Sequence, residues 1–210
     1  MLKAKAGFFM RKIIYIFAPI FILTIIATSA IAPTINMSED ISNKVFRLHI
    51  RANSDSPSDQ GLKLIVRDVV LEQTRDIFNN CKSVDEALKK TNENIDLIRK
   101  TAEKTIKENG CNYPCSVKTD KEFFETRKYN DFTLPAGVYD SLIIEIGQGK
   151  GHNWWCVMFP AVCLSGCTEE FDEILTEEER EMIENDKYIV KFKTVEIIER
   201  IKTGANRIKG

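Results

Sequence analysis

Gly149-Lys150-Gly151-His152-Asn153-Trp154-Trp155-Cys156-Val157-Met158-Phe159-Pro160 holds both tryptophans, one of the two histidines and one of the six cysteines of a 210-residue chain. Trp154 to Phe159 reads as a strand. Tyr139 to Ile146, β-branched and largely apolar, reads as another, and the glycine-rich Gly147 to Gly151 reads as a hairpin loop between them. Adjacent tryptophans on a strand point to opposite faces, so only one ring can enter a given core layer. The other must lie under a helix, under a partner or in water, and cover by the protein's own helices is the expected outcome.

Working outward, the period stays at two across the middle of the chain. Tyr113 to Thr119, Glu122 to Lys128, Val138 to Ile146 and Trp154 to Phe159 read as four successive strands, most simply an antiparallel meander. Asn130-Asp131 and Leu134-Pro135-Ala136-Gly137 are the breaks. Upstream, Val45 to Ile50 alternates apolar and polar residues, which predicts a strand with one buried face. It enters the turn cluster Arg51-Ala52-Asn53-Ser54-Asp55-Ser56-Pro57, where Ser56, Pro57 and Asp59 mark a helix start. Leu62, Ile65, Val66, Val69, Val70, Ile77 and Phe78 carry that helix to about Asn79. Ser83 with Glu86 opens a second helix, whose apolar stripe runs to a cap at Gly110. Thr176 to Glu184 reads as a short polar helix, and Tyr188 to Ile201 as a closing helix, with a strand-like start left open. The class is α+β: one domain with a mainly antiparallel sheet of about five strands, packed on two long N-terminal helices and a C-terminal helix.

Residues 1–12 are basic, Ile13 to Ala27 is apolar apart from Pro19 and Thr24, and Ala30-Ile31-Ala32 is a small-x-small cleavage site. This layout reads as a signal peptide or an N-terminal membrane anchor over 1–32, with Pro19 and the cleavage site favouring removal. A linker over 33–44 and an extracytoplasmic domain over 45–210 follow, because the positive flank stays inside. Lys3, Lys5, Arg11 and Lys12 stand without acids in 1–32, leaving 26 basic against 31 acidic residues, a net −5, in the rest. Such a body offers no basic face for nucleic acid.

Candidate chemistry gathers at two strand mouths. His49, Asn53, Ser54 and Asp55 flank the end of the first strand, and His152 and Asn153 lie at another. With Cys156 they suggest nucleophilic catalysis, but Asn-Ser-Asp-Ser-Pro also serves a strand-to-helix turn, and no nucleophile-elbow motif accompanies it. No catalytic residue is assigned on this reading. Two distant histidines and no Cys-x-x-Cys give no metal site, and no cofactor motif is present. Cys81, Cys111, Cys115, Cys156, Cys163 and Cys167 all lie on the exported part and allow three disulfides in fifteen pairings, of which one or two are expected, with Cys111–Cys115 or Cys163–Cys167 able to close local loops. Cys156, among apolar residues, reads equally as a small buried hydrophobe.

Phe46-Arg47-Leu48-His49-Ile50-Arg51-Ala52-Asn53-Ser54-Asp55-Ser56, continuing through Asp59, Gln60, Leu62, Lys63, Leu64, Val66, Arg67 and Asp68, closely resembles the N-terminal signature of the stage II sporulation protein R family. Leu134-Pro135-Ala136-Gly137-x-Tyr139 and Gly147-x-Gly149-x-Gly151-His152-Asn153-Trp154-Trp155-Cys156-Val157-x-Phe159-Pro160 resemble its second half. The resemblance spans about 45–165. The Cys111–Cys115 pair, Cys167 and the acidic stretch 169–186 fall outside its pattern. It implies an intercellular signal of spore-forming bacteria, exported into the space between the two septal membranes, where it activates a membrane-embedded aspartic protease that cleaves pro-sigma-E in the mother cell. On that reading the chain is no enzyme and meets the membrane only through its N-terminal segment. Nucleic acid and small-molecule substrates play no part. Asn53, Ser54, Asp55, His152, Asn153 and the outward one of Trp154 and Trp155 are the expected partner contacts, an aromatic anchor ringed by polar groups. The alternative is an extracytoplasmic hydrolase acting on cell-wall material, with His49, Asp55, His152 or Cys156 in its site.

Overall fold

The structure, a computed structural model, describes residues 2–78, 81–129, 131–160, 171–172 and 174–209. Cys163, Cys167 and the expected break at Asn130 lie outside them. The chain divides into Met1–Met37 and Ser38–Gly210. Helix α1 (Leu2–Lys44) forms the first unit and continues into the second, with Pro19 and Pro33 inside it. Its stretch Tyr15–Lys44 holds an 18-residue window of mean hydropathy 2.1, long and apolar enough to cross a bilayer, a test that signal sequences also pass. The segment 33–44, expected as a linker, is therefore helical.

In the second unit, β1 (Phe46–Arg51) leads into α2 (Pro57–Phe78), followed by α3 (Val84–Glu93) and α4 (Ile95–Glu108). The strands β2 (Cys115–Phe124), β3 (Arg127–Lys128), β4 (Thr133–Leu134), β5 (Gly137–Ile146) and β6 (Asn153–Phe159) come next, then α5 (Glu177–Glu184) and α6 (Ile189–Lys209). The helix starts follow their caps. Ser56 Oγ accepts the Asp59 N–H at 3.2 Å, Ser83 Oγ accepts that of Glu86, and Thr176 with Glu179 makes a reciprocal capping box. Where one helix was expected after Ser83, two form, separated at Asn94, whose side-chain amide bonds back to the Lys90 carbonyl at 2.9 Å. The second of them stops where expected, at Gly110 with φ +76°.

The sheet order is β2-β5-β1-β6, with β1 parallel to β5 and antiparallel to β6, and β2 antiparallel to β5. The α+β class holds and two of three pairings are antiparallel. The meander does not form, and Gly147 to Gly151 is no hairpin loop. β5 and β6 are consecutive in sequence but separated by the width of β1. The two strands expected over 113–119 and 122–128 are instead one ten-residue β2 and a short β3, which pairs only with β4.

One sheet face carries Phe46, Leu48, Ile50, Leu142, Ile144, Ile146, Cys156 and Met158 against Leu62, Val66, Val70, Ala87, Ile98, Ala102 and Ile106 of the helices. Each large aliphatic side chain buried there stabilises the fold by roughly 1.5–3 kcal/mol. β1 was expected to bury one face and buries both. Its second face, Arg47 and His49, lies under Phe124, Tyr139, Trp155 and the turn that carries Tyr129. Phe132 of that turn stacks on Tyr129 at 4.7 Å and meets Phe171 edge-on, while buried Phe192 and Val195 dock α6.

Candidate functional site

Two loops meet at the end of β1. Residues 147–152 cross over the turn that follows it, and three backbone contacts clamp them. Gly151 N–H donates to the Ala52 carbonyl at 2.9 Å, Lys150 N–H to that of Asn53 at 3.4 Å, and Gln148 N–H to Asn53 Oδ1 at 3.0 Å. The approach requires glycine. A Cβ on Gly151 would stand 2.2 Å from the Ser54 carbonyl oxygen, and one on Gly147 (φ +61°) 2.2 Å from Asn53 Oδ1.

Beneath them, buried Asp59 organises the turn, accepting from Asn53 Nδ2 at 2.8 Å and Ser54 Oγ at 2.5 Å. Those bonds, with lesser ones from Tyr113 and Ser56, hold its carboxyl below the usual aspartate range. Lys63 is buried too; its ammonium donates to Gln60 Oε1 at 2.6 Å and the His152 carbonyl at 2.9 Å, and burial pulls its pKa down.

On top, exposed Asp55 accepts the His152 backbone N–H at 2.6 Å and also bonds the His152 ring at Nδ1. The backbone bond first, then the ring, lowers the Asp55 pKa. The structure thus brings residues 53–55 together with His152, and sorts them. Asn53 and Ser54 spend their polar atoms inward, while Asp55 and His152 face solvent.

The tryptophans lie on opposite faces and both are half-buried. Trp154 packs on the helix side with the Arg67 guanidinium 4.3 Å above its ring. Trp155 sits between His49 at 5.6 Å and Arg127 at 4.7 Å. Cover by the protein's own side chains is therefore the outcome for both, and neither stands free. Asn153 is half-buried at the β6 start, paired with Arg51.

His49, expected near this mouth, turns to the second face instead. Its Nδ1 is 2.5 Å from Glu122 Oε2, and Nε2 is buried without a partner. Glu122 also accepts from Arg51, which reaches Glu145 at 2.5 Å. Burial pushes Glu122 up, but the His49 and Arg51 contacts outweigh it and its pKa falls below the usual value. Arg47, fully buried, donates Nη2 to Tyr129 Oη at 2.6 Å and lies 4.1 Å over Phe124, with Nε and Nη1 unpartnered. Sequence reasoning missed Arg47, Arg51, Glu122 and Arg127. The signal was the all-basic alternation of Arg47, His49 and Arg51, which one carboxylate opposite would answer.

Of the residues offered for a hydrolase, Asp55 and His152 meet, but His49 lies on the other sheet face and Cys156 does not join them. Cys156 pairs with Leu48 on the helix face and is disulfide-bonded, so it is neither a free thiol nor a mere small hydrophobe. Cys81, Cys111 and Cys115 are free, so the Cys111–Cys115 loop that the spacing allows does not form. Burial raises the Cys115 thiol to about 12. Among the described residues no group of three His, Cys, Asp or Glu could hold a metal ion.

An α+β domain with an apolar helix of membrane-spanning length ahead of it, and a glycine-clamped loop pair at its strand mouth, defines the class: the chain belongs to the stage II sporulation protein R family, whose family model matches residues 42–169. The stage II sporulation protein R of Bacillus subtilis (strain 168) is 33% identical over 206 residues, covering 95% of this chain and 88% of that protein. No solved structure matches. The family match spans β1 through β6, the elements that build the site.

Proposed function

We propose that this chain is a sporulation signal, exported across the forespore membrane, that activates a membrane-embedded aspartic protease so that pro-sigma-E is cleaved in the mother cell. The observation that carries it is family membership over the residues that form both strand mouths. The geometry supports a ligand role: Asp55 and His152 are exposed on loops that two glycines and buried Asp59 hold rigid, and preorganised polar groups lose little entropy on binding. Asn53, Ser54 and Asn153 shape the rim, and half-buried Trp154 and Trp155, covered by Arg67 and Arg127, anchor the strand behind it. A ligand activates only through higher affinity for the active state, so this patch has to fit the protease better in its active arrangement.

The test is co-expression of the protease, tagged pro-sigma-E and this chain in a bacterium that does not sporulate. Processing on a blot is expected only when the chain is exported. Asp55→Ala with His152→Ala is expected to cut processing about tenfold or more while the purified variant stays folded, its denaturation midpoint lowered by no more than the lost His152 N–H bond. A fully active, folded double variant would remove the patch from the reading. No processing with folded, exported wild type would overturn the activator role itself.

A further inference from the structure

Both tryptophans of β6 carry an arginine on the ring, one on each face of the sheet. The Arg67 guanidinium lies 4.3 Å from the Trp154 ring centroid, and that of Arg127 lies 4.7 Å from the Trp155 ring centroid. Stacking occupies the flat face of a guanidinium and leaves its N–H groups, which point outward in its plane, for an acceptor.

The two stacks differ in that acceptor. Arg67 donates to Asp68 Oδ1 through Nε at 2.7 Å and Nη2 at 2.6 Å. Exposed Arg127 has no carboxylate among the described residues. The acids close to it in sequence are engaged elsewhere, Glu122 with His49 and Arg51, and Glu125 with Arg200. Its neighbour Lys128, by contrast, pairs with Asp186 at 2.9 Å. Arg127 is therefore a surface guanidinium that Trp155 holds in place with its donors unspent. A side chain fixed beforehand loses less entropy when it binds.

This arrangement selects its occupant. A planar carboxylate matches the fork of in-plane donors, and the Trp154 stack on the other face of the same strand shows that complement already in place. Trp and Arg are also the side chains enriched among the anchors of protein interfaces. An anionic lipid surface draws on a cluster of free cations, whereas Lys128 and Arg51 beside this stack are neutralised by Asp186, Glu122 and Glu145. Trp155 follows His152 by three residues of extended chain, roughly 10 Å, so one partner surface spans both.

We infer that Arg127, stacked on Trp155, receives an aspartate or glutamate side chain of the protein that this chain activates. The inference rests on the activator reading and adds to the Asp55–His152 patch a second contact of defined chemistry.

The test is the same co-expression assay. Arg127→Ala is expected to cut processing about tenfold, the loss typical of an interface anchor, with the purified full-length variant still folded by urea titration. Arg127→Lys, which keeps the charge but not the planar fork, is expected to stay nearly as low. Arg127→Glu is expected to abolish processing and to regain it when one acidic residue on the extracytoplasmic face of the protease is changed to arginine. Absent processing with folded, exported wild type would overturn the activator reading and this inference with it, whereas normal processing by Arg127→Ala overturns this inference alone. Full activity of Arg127→Lys overturns it in favour of a diffuse anionic surface. A change on Arg127→Ala in the sedimentation of the purified full chain in detergent overturns it in favour of a second copy.

Discussion

Gly151→Ala is the sharpest probe of the loop clamp. An added Cβ would lie 2.2 Å from the Ser54 carbonyl oxygen, 2.5 Å from its carbon and 2.9 Å from the Ala52 Cβ, against an ordinary contact of 3.4 Å or more. The first two obstacles are backbone, so no rotamer change relieves them. The loop must retreat by about 1 Å, which breaks the Gly151–Ala52 bond and loosens that between the His152 N–H and Asp55. Overpacking costs about 1–3 kcal/mol and each lost hydrogen bond about 1 kcal/mol, so a loss of about 2–4 kcal/mol is expected. In a domain of this size that lowers Tm by roughly 5–15 °C. Gly149→Ala is the comparison: its φ of +60° costs roughly 1–2 kcal/mol, but its Cβ would clear every neighbour by 3.7 Å. Urea titration of the full chain in detergent, followed by the fluorescence of Trp154 and Trp155, separates the two. Equal midpoints for both variants would refute the claim that the clamp depends on backbone approach.

Gly61, inside α2 with open space where a Cβ would go, predicts that Gly61→Ala raises stability by about 0.5–1 kcal/mol in the same titration. Arg47→Met is expected to keep or raise the midpoint, because it removes unpartnered buried N–H groups and fills similar volume. Arg47→Ala, which leaves a cavity beside Phe124 and Tyr139, should lose about 3 kcal/mol, and equal losses for the two would count against this account. Burial raises the Glu179 pKa, but the Lys44 bond at 2.7 Å and the Thr176 N–H outweigh it, leaving a native value below the ordinary 4.5. A depressed carboxylate stabilises fully above its unfolded pKa and loses that contribution as pH falls through its native one. Below pH 4.5, stability should therefore decline less steeply in Glu179→Gln than in wild type, as read by urea midpoints across pH.

Much of the local structure was written plainly in the sequence. Ser56-Pro57, Ser83 with Glu86, Thr176 with Glu179 and Gly110 mark helix ends through bonds spanning a few residues, and such signals survive any tertiary arrangement. The opposed faces of Trp154 and Trp155 follow from strand geometry alone. Strand order did not follow, because β1 enters between β5 and β6 through pairings distant in sequence, and a glycine-rich loop that bends over another strand's end has the composition of a hairpin loop. At the site, Asn53, Ser54, Asp55 and His152 were legible as polar residues at strand mouths. Arg47 and Glu122 were not, since alternation marks Arg47 as a solvent-facing position and says nothing of a second layer above it.

The central position of β1 has a consequence for how the protein is made. His49 pairs with Ile143 on one side and Trp155 on the other, each about a hundred residues downstream. An N-terminally led chain crossing a membrane delivers β1 first and its two neighbours last. Until residue 146 has emerged the strand at the middle of the sheet lacks partners on both edges, and until residue 159 it still lacks one. Such long-range closure is slow. The sheet therefore closes only after helices α2, α3 and α4 have been made.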